Sequence, residues 1–156
     1  MSRVQQDLVK LLFERIIPFN RYLGMSVLDI EPGLARLQLP FRDEFVGNPE
    51  IPALHGGVVS TLLDTVGGAA VWSGVEAHDR VSTVDLRVDF LRPGRSELLV
   101  GQGRVVRLGN RVGVVELRAY HHGAEDRPVA VGTGVYNVSR VKATDAAKLW
   151  DRVKRA

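Results

Sequence analysis

The sequence predicts an α+β domain in which a curved antiparallel sheet wraps one buried helix. Three observations carry that prediction. Val58–Trp72 is an almost continuous apolar run of helical length, interrupted by one carboxylate, Asp64. Four alternating or apolar β-type runs follow it, and two precede it. Short turn signals (Pro32-Gly33, Pro93-Gly94 and Gly109-Asn110) separate several of these runs, which favours antiparallel neighbours. A helix apolar nearly all round must be buried on most sides, so the sheet has to curve around it. At about fifteen residues the run is short for a membrane span, which needs roughly twenty.

Taken in order, Val4, Leu8, Leu11, Leu12 and Ile16 recur at helical spacing and predict an amphipathic helix over 3–17, ended by Pro18. Met25–Glu31 and Leu34–Pro40 form a hairpin about Pro32-Gly33, with Ala35, Leu37 and Leu39 on one face. Phe41–Leu54 is a long loop with two prolines, a length often tied to function. The apolar helix runs from Gly56 to Gly74. Val84, Leu86, Val88 and Phe90 then alternate with Thr83, Asp85, Arg87 and Asp89, predicting a strand with one buried face and Thr83 on the other. Leu98–Leu108, Val112–His121 and Val129–Val138 complete a four-strand meander. Ala146, Leu149, Trp150 and Val153 mark a C-terminal helix. The whole reads as one domain over 1–156: an N-terminal helix to about residue 20, a core over 21–140 and a C-terminal helix over 141–156.

Composition narrows the chemistry. With no cysteine among 156 residues, disulfides, thiolate metal sites and cysteine nucleophiles are excluded, and a cytoplasmic location is expected. Net charge is +3, with basic residues interleaved among acidic ones. A nucleic-acid partner would call for a basic stripe with aromatics, which is missing. Neither a membrane partner nor an export signal is read. His121 and His122 are adjacent in a strand and face opposite ways, and His78 lies in a polar turn. None has ligand spacing, so no metal is expected.

The motif around the apolar helix is more specific. Asn48 in the loop is followed by Leu54-His55-Gly56-Gly57, by Asp64 nine positions after the histidine, and by a strand running from Thr83 to Phe90-Leu91-Arg92-Pro93. This pattern resembles the hotdog-fold acyl-CoA thioesterases, and within them the branch acting on phenylacetyl-CoA and related aryl- or acyl-CoA esters. The resemblance covers about Tyr22 to Val138. The interval from Asn48 to His55, with Pro49 and Pro52 inside it, is one residue longer than the family's pattern. The resemblance implies that Asp64 is the general base or nucleophile and that backbone at Gly56 forms an oxyanion hole. It also implies that Asn48 orients water and that Thr83 assists.

Each role has a physical reason. A helix N-terminus offers free N–H groups and partial positive charge, and Gly56 and Gly57 would let an acyl carbonyl approach them closely. Asp64 has an ordinary pKa of about 3.9, low for a base at neutral pH, and burial in an apolar helix is expected to raise it. Whether it activates water or attacks the carbonyl directly stays open. His55 reads better as the residue that fixes the turn through its ring than as a base. Thr83 holds either the water or the Asp64 carboxylate, or is simply a β-former.

Helical arithmetic adds a constraint. Nine steps from His55 to Asp64 turn the helix by about 900° and advance about 13.5 Å, so one chain cannot bring Asp64 and the oxyanion donors at Gly56 to one carbonyl. A homodimer with two shared sites is expected, with dimers pairing again. The substrate is an acyl-CoA, and CoA enters as part of it with no separate cofactor. Its phosphates make the basic turns Arg92-Pro93 and Gly109-Asn110-Arg111 candidate contacts, and Gly57 is a candidate contact for the acyl carbonyl. Phe41, Phe45, Val46, Leu63 and Trp72 read as core that could also line an acyl tunnel. A non-catalytic acyl-CoA-binding or regulatory hotdog protein is the alternative. A hotdog dehydratase would need a His–acid pair in another pattern.

Overall fold

The computed structural model describes residues 3–141. The expected C-terminal helix over 141–156 lies, beyond Val141, outside the described residues. In chain order the elements are α1 (Arg3–Leu11), a π-turn (Leu12–Ile16), α2 (Pro18–Leu23), β1 (Ser26–Glu31) and β2 (Leu34–Leu39). A 3-10 turn (Asp43–Phe45), β3 (Val46–Asn48) and β4 (Ala53–Leu54) lead into the long helix α3 (Gly56–Ser73). The strands β5 (Arg80–Phe90), β6 (Leu99–Leu108), β7 (Val112–His121) and β8 (Ala130–Ser139) follow.

The N-terminal segment is not the single helix its periodicity predicts. The ladder widens by one residue over Leu12–Ile16, and Ile17 N–H closes it on Leu12 O at 3.0 Å. The side chains on the core are Val9 and Phe13, four apart, while Leu11 is exposed. Pro18 does not merely stop a helix. It opens α2 at the first helical position, where its missing N–H costs nothing. Gly24, at φ 74°, closes α2 in the left-handed region that glycine tolerates. The segment lies along β1: Glu14 Oε1 accepts from Val27 N–H at 2.8 Å, and Gln6 Nε2 donates to Ile30 O at 3.3 Å. One sheet edge is thereby given side-chain partners.

The six-stranded antiparallel sheet has the order β1-β2-β6-β7-β8-β5. Here the expected meander needs correction. β6, β7 and β8 follow one another, but β5 pairs with β8 at the far edge and β6 pairs with β2. Neighbouring strands sit about 4.8 Å apart, so the shift from β5 to β6 spans three spacings, about 14 Å. The connection over residues 91–98 reaches that far easily. A Pro-Gly turn shows that a strand stops, not which strand the chain pairs with next. The long loop after β2 is likewise more ordered than expected, since β3 and β4 form a small hairpin inside it.

Ala35, Leu37 and Leu39 all face inward as the alternation predicts, at most 1% exposed. With Leu99, Val115, Leu117 and Tyr136 they wrap the Leu62, Leu63 and Val66 side of α3. β5 departs from expectation: in the single chain neither of its faces is well buried, and Val84 and Phe90 are 65% and 54% exposed. Its outer edge has no strand beside it among the described residues. No described helix is long and apolar enough to cross a membrane.

Helix and sheet meet most tightly at Gly67. A Cβ there would stand 2.0 Å from the Tyr136 hydroxyl and 3.0 Å from Leu117 Cδ2. That hydroxyl donates to the Asp64 main-chain carbonyl at 3.0 Å. Gly67→Ala is therefore expected to destabilise by about 1–3 kcal/mol through overpacking, despite alanine's helix preference of about 1 kcal/mol. Thermal denaturation checks this, and adding Tyr136→Phe should recover part of the loss.

Candidate active site

Helix α3 is not buried on all sides. Gly57, Thr61, Asp64, Thr65 and Gly68 follow one another at helical spacing, and each keeps some exposure. Their small size hides the stripe, because glycines and threonines barely interrupt an apolar run. Thr61, Asp64, Thr65 and Gly68 floor a cleft of about 670 Å³. Its other walls are Leu12, Phe13, Ile17, Phe19 and Asn20 from the N-terminal segment, Trp72 from α3, and Val81 and Thr83 from β5.

Asp64 stands in that cleft half-buried, and Thr83 Oγ1 donates to its Oδ1 at 2.7 Å. Strict alternation puts Thr83 on the face away from Leu86. The structure overturns this with a bulge. Thr83 pairs with Tyr136 and Asp85 with Val135, leaving Val84 as the extra residue. The bulge turns Thr83 to the same face as Leu86 and Val88, toward the helix. Arg87, further along β5, is paired with Asp89 at 3.2 Å. Burial pushes the Tyr136 phenol well above its usual range, and the Asp64 charge adds to the effect. The phenol therefore stays a hydrogen-bond donor. Burial works against ionising Asp79 at the end of the cleft. The hydrogen bonds from Arg140, Val141 N–H and Glu76 N–H outweigh it and hold that carboxyl below 3.8.

The other end of α3 opens elsewhere. His55 is the N-cap, and its Nδ1 accepts the Gly57 N–H at 2.9 Å. The ring thus closes the turn, and Gly57 N–H is taken rather than free for a substrate. Gly56 N–H, at the first helical position, is given to no group among the described residues. Gly56 lines a second cavity of about 400 Å³ with Phe90, Arg92 and Pro93. Asp64 lies eight helical steps away, about 12 Å, in the first cleft. One chain therefore keeps the two apart.

The remaining candidates divide. Arg92 and Pro93 lie at the Gly56 end, with Arg92 Nη1 donating to Pro128 O. Gly109, Asn110 and Arg111 form the β6–β7 turn beyond the opposite end of α3, where Gly109 N–H donates to Val112 O and Arg140 Nε to Asn110 O. The two basic turns are not brought together within one chain. Asn48 Oδ1 accepts from Glu50 N–H at 3.0 Å in the exposed β3–β4 loop, and lines neither the Asp64 cleft nor the Gly56 cavity. Of the five residues read as core or tunnel, Trp72 lines the cleft. Phe45 and Leu63 are buried in the core, with Phe41 packed against it, and Val46 is half-buried.

Sequence reasoning missed the N-terminal wall of the cleft, the Tyr136 contact and His121. His121 is buried, 4% exposed. Its Nε2 accepts Arg95 N–H at 2.9 Å, so Nδ1 carries the proton and donates to Leu98 O at 3.0 Å. The ring thereby pins the connection that carries Gly94, whose carbonyl accepts Leu54 N–H at 2.9 Å. Leu54 precedes His55 and Gly56. An adjacent histidine pair signals opposite faces, but not that one ring closes a loop. Among the described residues no group of three His, Asp or Glu is placed to hold a metal ion.

The comparisons with known proteins agree with this architecture. Residues 52–127 match the thioesterase superfamily family model. A protein of Halobacterium salinarum is 40% identical over 126 residues, covering 76% of this chain and 83% of that one. The medium/long-chain acyl-CoA thioesterase YigI of Escherichia coli is 35% identical over 144 residues, covering 84% of this chain and 92% of YigI. A crystal structure from Shewanella oneidensis, described as related to the thioesterase superfamily, superposes with a TM-score of 0.79 at 31% identity. It covers 89% of this chain and 100% of that one. The fold is the hotdog fold of thioesterases, with a large antiparallel sheet around one long helix. The chain belongs to the thioesterase superfamily, and its reaction class is thioester hydrolysis.

The His121 clamp has a direct check. His121→Ala strands the Arg95 N–H and the Leu98 carbonyl, at a cost of about 1–3 kcal/mol for a buried unsatisfied group. Denaturant unfolding should show that loss, and amide exchange should speed up at Arg95 and Leu54 before it does elsewhere.

Proposed function

We propose that the chain hydrolyses acyl-CoA thioesters, with Asp64 as general base and Gly56 N–H as oxyanion donor. The observation that carries the reading is the Asp64 carboxylate on the floor of a mainly apolar cleft, held through Oδ1 by Thr83. Oδ2 is left to take a proton from water. The water oxygen then bonds the carbonyl carbon, and charge moves to the carbonyl oxygen. Collapse breaks the C–S bond, and the proton passes to the departing thiolate of CoA. Hydrolysis needs no separate cofactor. The free N–H at the start of α3 suits the developing oxyanion.

Because Asp64 and Gly56 open into different cavities, the working site joins Asp64 of one subunit to Gly56 of another in a homodimer. The β5 edge, beside which no strand lies among the described residues, and the exposed Val84, Phe90 and Leu91 support that pairing. Arg92 at the Gly56 end is then the first candidate for the CoA phosphates. A cleft of this size, walled by Leu12, Phe13, Ile17 and Trp72, fits an aliphatic acyl chain. The name carried by YigI points to medium or long chains, and phenylacetyl-CoA is the aryl competitor to test against them.

Release of free thiol from a panel of acyl-CoAs measures the activity. Asp64→Asn is expected to lower kcat by about two to four powers of ten, the usual worth of general-base catalysis. Gly56→Pro removes the proposed donor N–H at a position where proline suits a helix. It is expected to cost about two to three powers of ten, while Gly56→Ala, which keeps the N–H, costs far less. Equal rates for wild type and Asp64→Asn on every ester would overturn the hydrolytic reading in favour of a binding protein.

A further inference from the structure

The Asp64 cleft extends further on one side of the carboxylate than on the other. The α3 residues that line it are Thr61, Asp64, Thr65, Gly68 and Trp72. At about 1.5 Å per residue, Thr61 lies about 4.5 Å from Asp64 along the helix axis, and Trp72 lies about 12 Å the other way. Thr65 and Gly68 leave the longer arm open. Apart from the helix's own backbone, a Cβ at Gly68 would meet only Tyr136 Cε1, at an ordinary contact distance of 3.8 Å. Trp72 is the first large side chain on this face, four steps after Gly68 and seven after Thr65.

The indole is held in place. Its ring packs against Phe13 of the N-terminal segment, with centroids 6.5 Å apart and planes tilted by 55°. Its Nε1 donates to Asp79 O at 3.1 Å. Asp79 is anchored in turn: its carboxylate accepts from Arg140 at 2.6 Å, from Val141 N–H at 3.1 Å and from Glu76 N–H at 3.2 Å. Swinging the indole aside would strand a buried donor and lose the packing on Phe13. Beyond Trp72 the wall passes to Asp79 and Arg80, and covering charged groups with hydrocarbon is costly.

We infer that Trp72 is the end wall of the acyl pocket and sets the length of chain that the site accepts. This rests on the hydrolytic reading above and adds the chain length to it. With the carbonyl at Asp64, the acyl chain takes the longer arm and runs past Thr65 and Gly68 to the indole. An extended chain covers about 1.2 Å per bond, since a backbone residue spans about 3.6 Å over three bonds. The arm of about 12 Å therefore holds about ten bonds. The preferred substrates are straight medium-chain acyl-CoA esters of about ten carbons. Gly68, about 6 Å from Asp64, marks the half-way point.

The test uses the full-length protein and even-numbered saturated acyl-CoAs from butyryl to stearoyl. For wild type, kcat/KM is expected to rise by about tenfold for every two added methylenes and to fall once the chain passes about ten carbons. Trp72→Ala should move that turning point to longer chains. Trp72→Phe, which keeps a ring against Phe13, should move it by a smaller step. Gly68→Leu builds a side chain into the open arm and should pull the turning point back to about six carbons. Leucine suits a helix interior better than glycine, so this variant stays informative where a Trp72 change costs the fold, which thermal denaturation shows. Isothermal titration on Asp64→Asn, which leaves the esters intact, should place the same turning point in Kd and shift it the same way with each change. A wild-type preference that keeps rising to stearoyl overturns the assignment. So does a turning point that Gly68→Leu or a folded Trp72 variant leaves in place. Absence of turnover with the turning point kept in Kd sinks the hydrolytic reading alone, and absence of binding by every ester sinks both.

Discussion

Asp64 is the only charged side chain on α3, and much of the surrounding structure accommodates it. A carboxylate within an apolar helix is costly unless solvent or hydrogen-bond donors reach it. Here both do. The small residues on its face of the helix leave room for the cleft, and the β5 bulge turns Thr83 inward to bond Oδ1 at 2.7 Å. On the next strand Tyr136 reaches the main chain of the same residue, in space that exists because residue 67 is glycine. One position thus ties together the helix composition, an irregularity in a strand and the closest helix–sheet approach.

The same helix carries a second chemical feature at its start. The His55 ring takes the Gly57 N–H and leaves Gly56 N–H without a partner among the described residues. The capping interaction that stabilises the turn therefore also selects which donor is open. Support for this turn comes from afar: the buried His121 ring fixes the β5–β6 connection, and the Gly94 carbonyl in that connection holds Leu54. About 12 Å of helix separates this donor from Asp64. The two sheet edges are also unlike. Side chains of the N-terminal segment serve the β1 edge, while the β5 edge has no strand beside it among the described residues and its apolar residues are exposed.

Much of this was legible in the sequence because it rests on local signals. The apolar run gave α3 nearly to the residue, Pro32-Gly33 and Gly109-Asn110 gave two hairpins, and the lone Asp64 stood out by contrast. What stayed hidden depends on pairing and register. The placement of β5 beside β8 is a choice of partner that turn chemistry does not encode. The Thr83 bulge shifts one residue, and that single shift reverses which face a side chain occupies. In the N-terminal segment the buried stripe likewise runs through Val9 and Phe13 rather than Leu11. The N-terminal wall of the cleft and its Phe13–Trp72 contact arise from packing between segments far apart in the chain, so no spacing rule marks them.

The central claim is that each working site takes Asp64 from one subunit and Gly56 from another. Co-expression of two differently tagged chains, one carrying Asp64→Asn and the other Gly56→Pro, tests it most directly. Each homodimer has both sites damaged. In a mixed dimer one site combines both lesions and the other combines two intact halves. Random mixing should restore about a quarter of wild-type thioester hydrolysis, from half the dimers with one sound site each. Mixed dimers that co-purify through both tags, keep the wild-type fold and show no recovery would contradict the shared site.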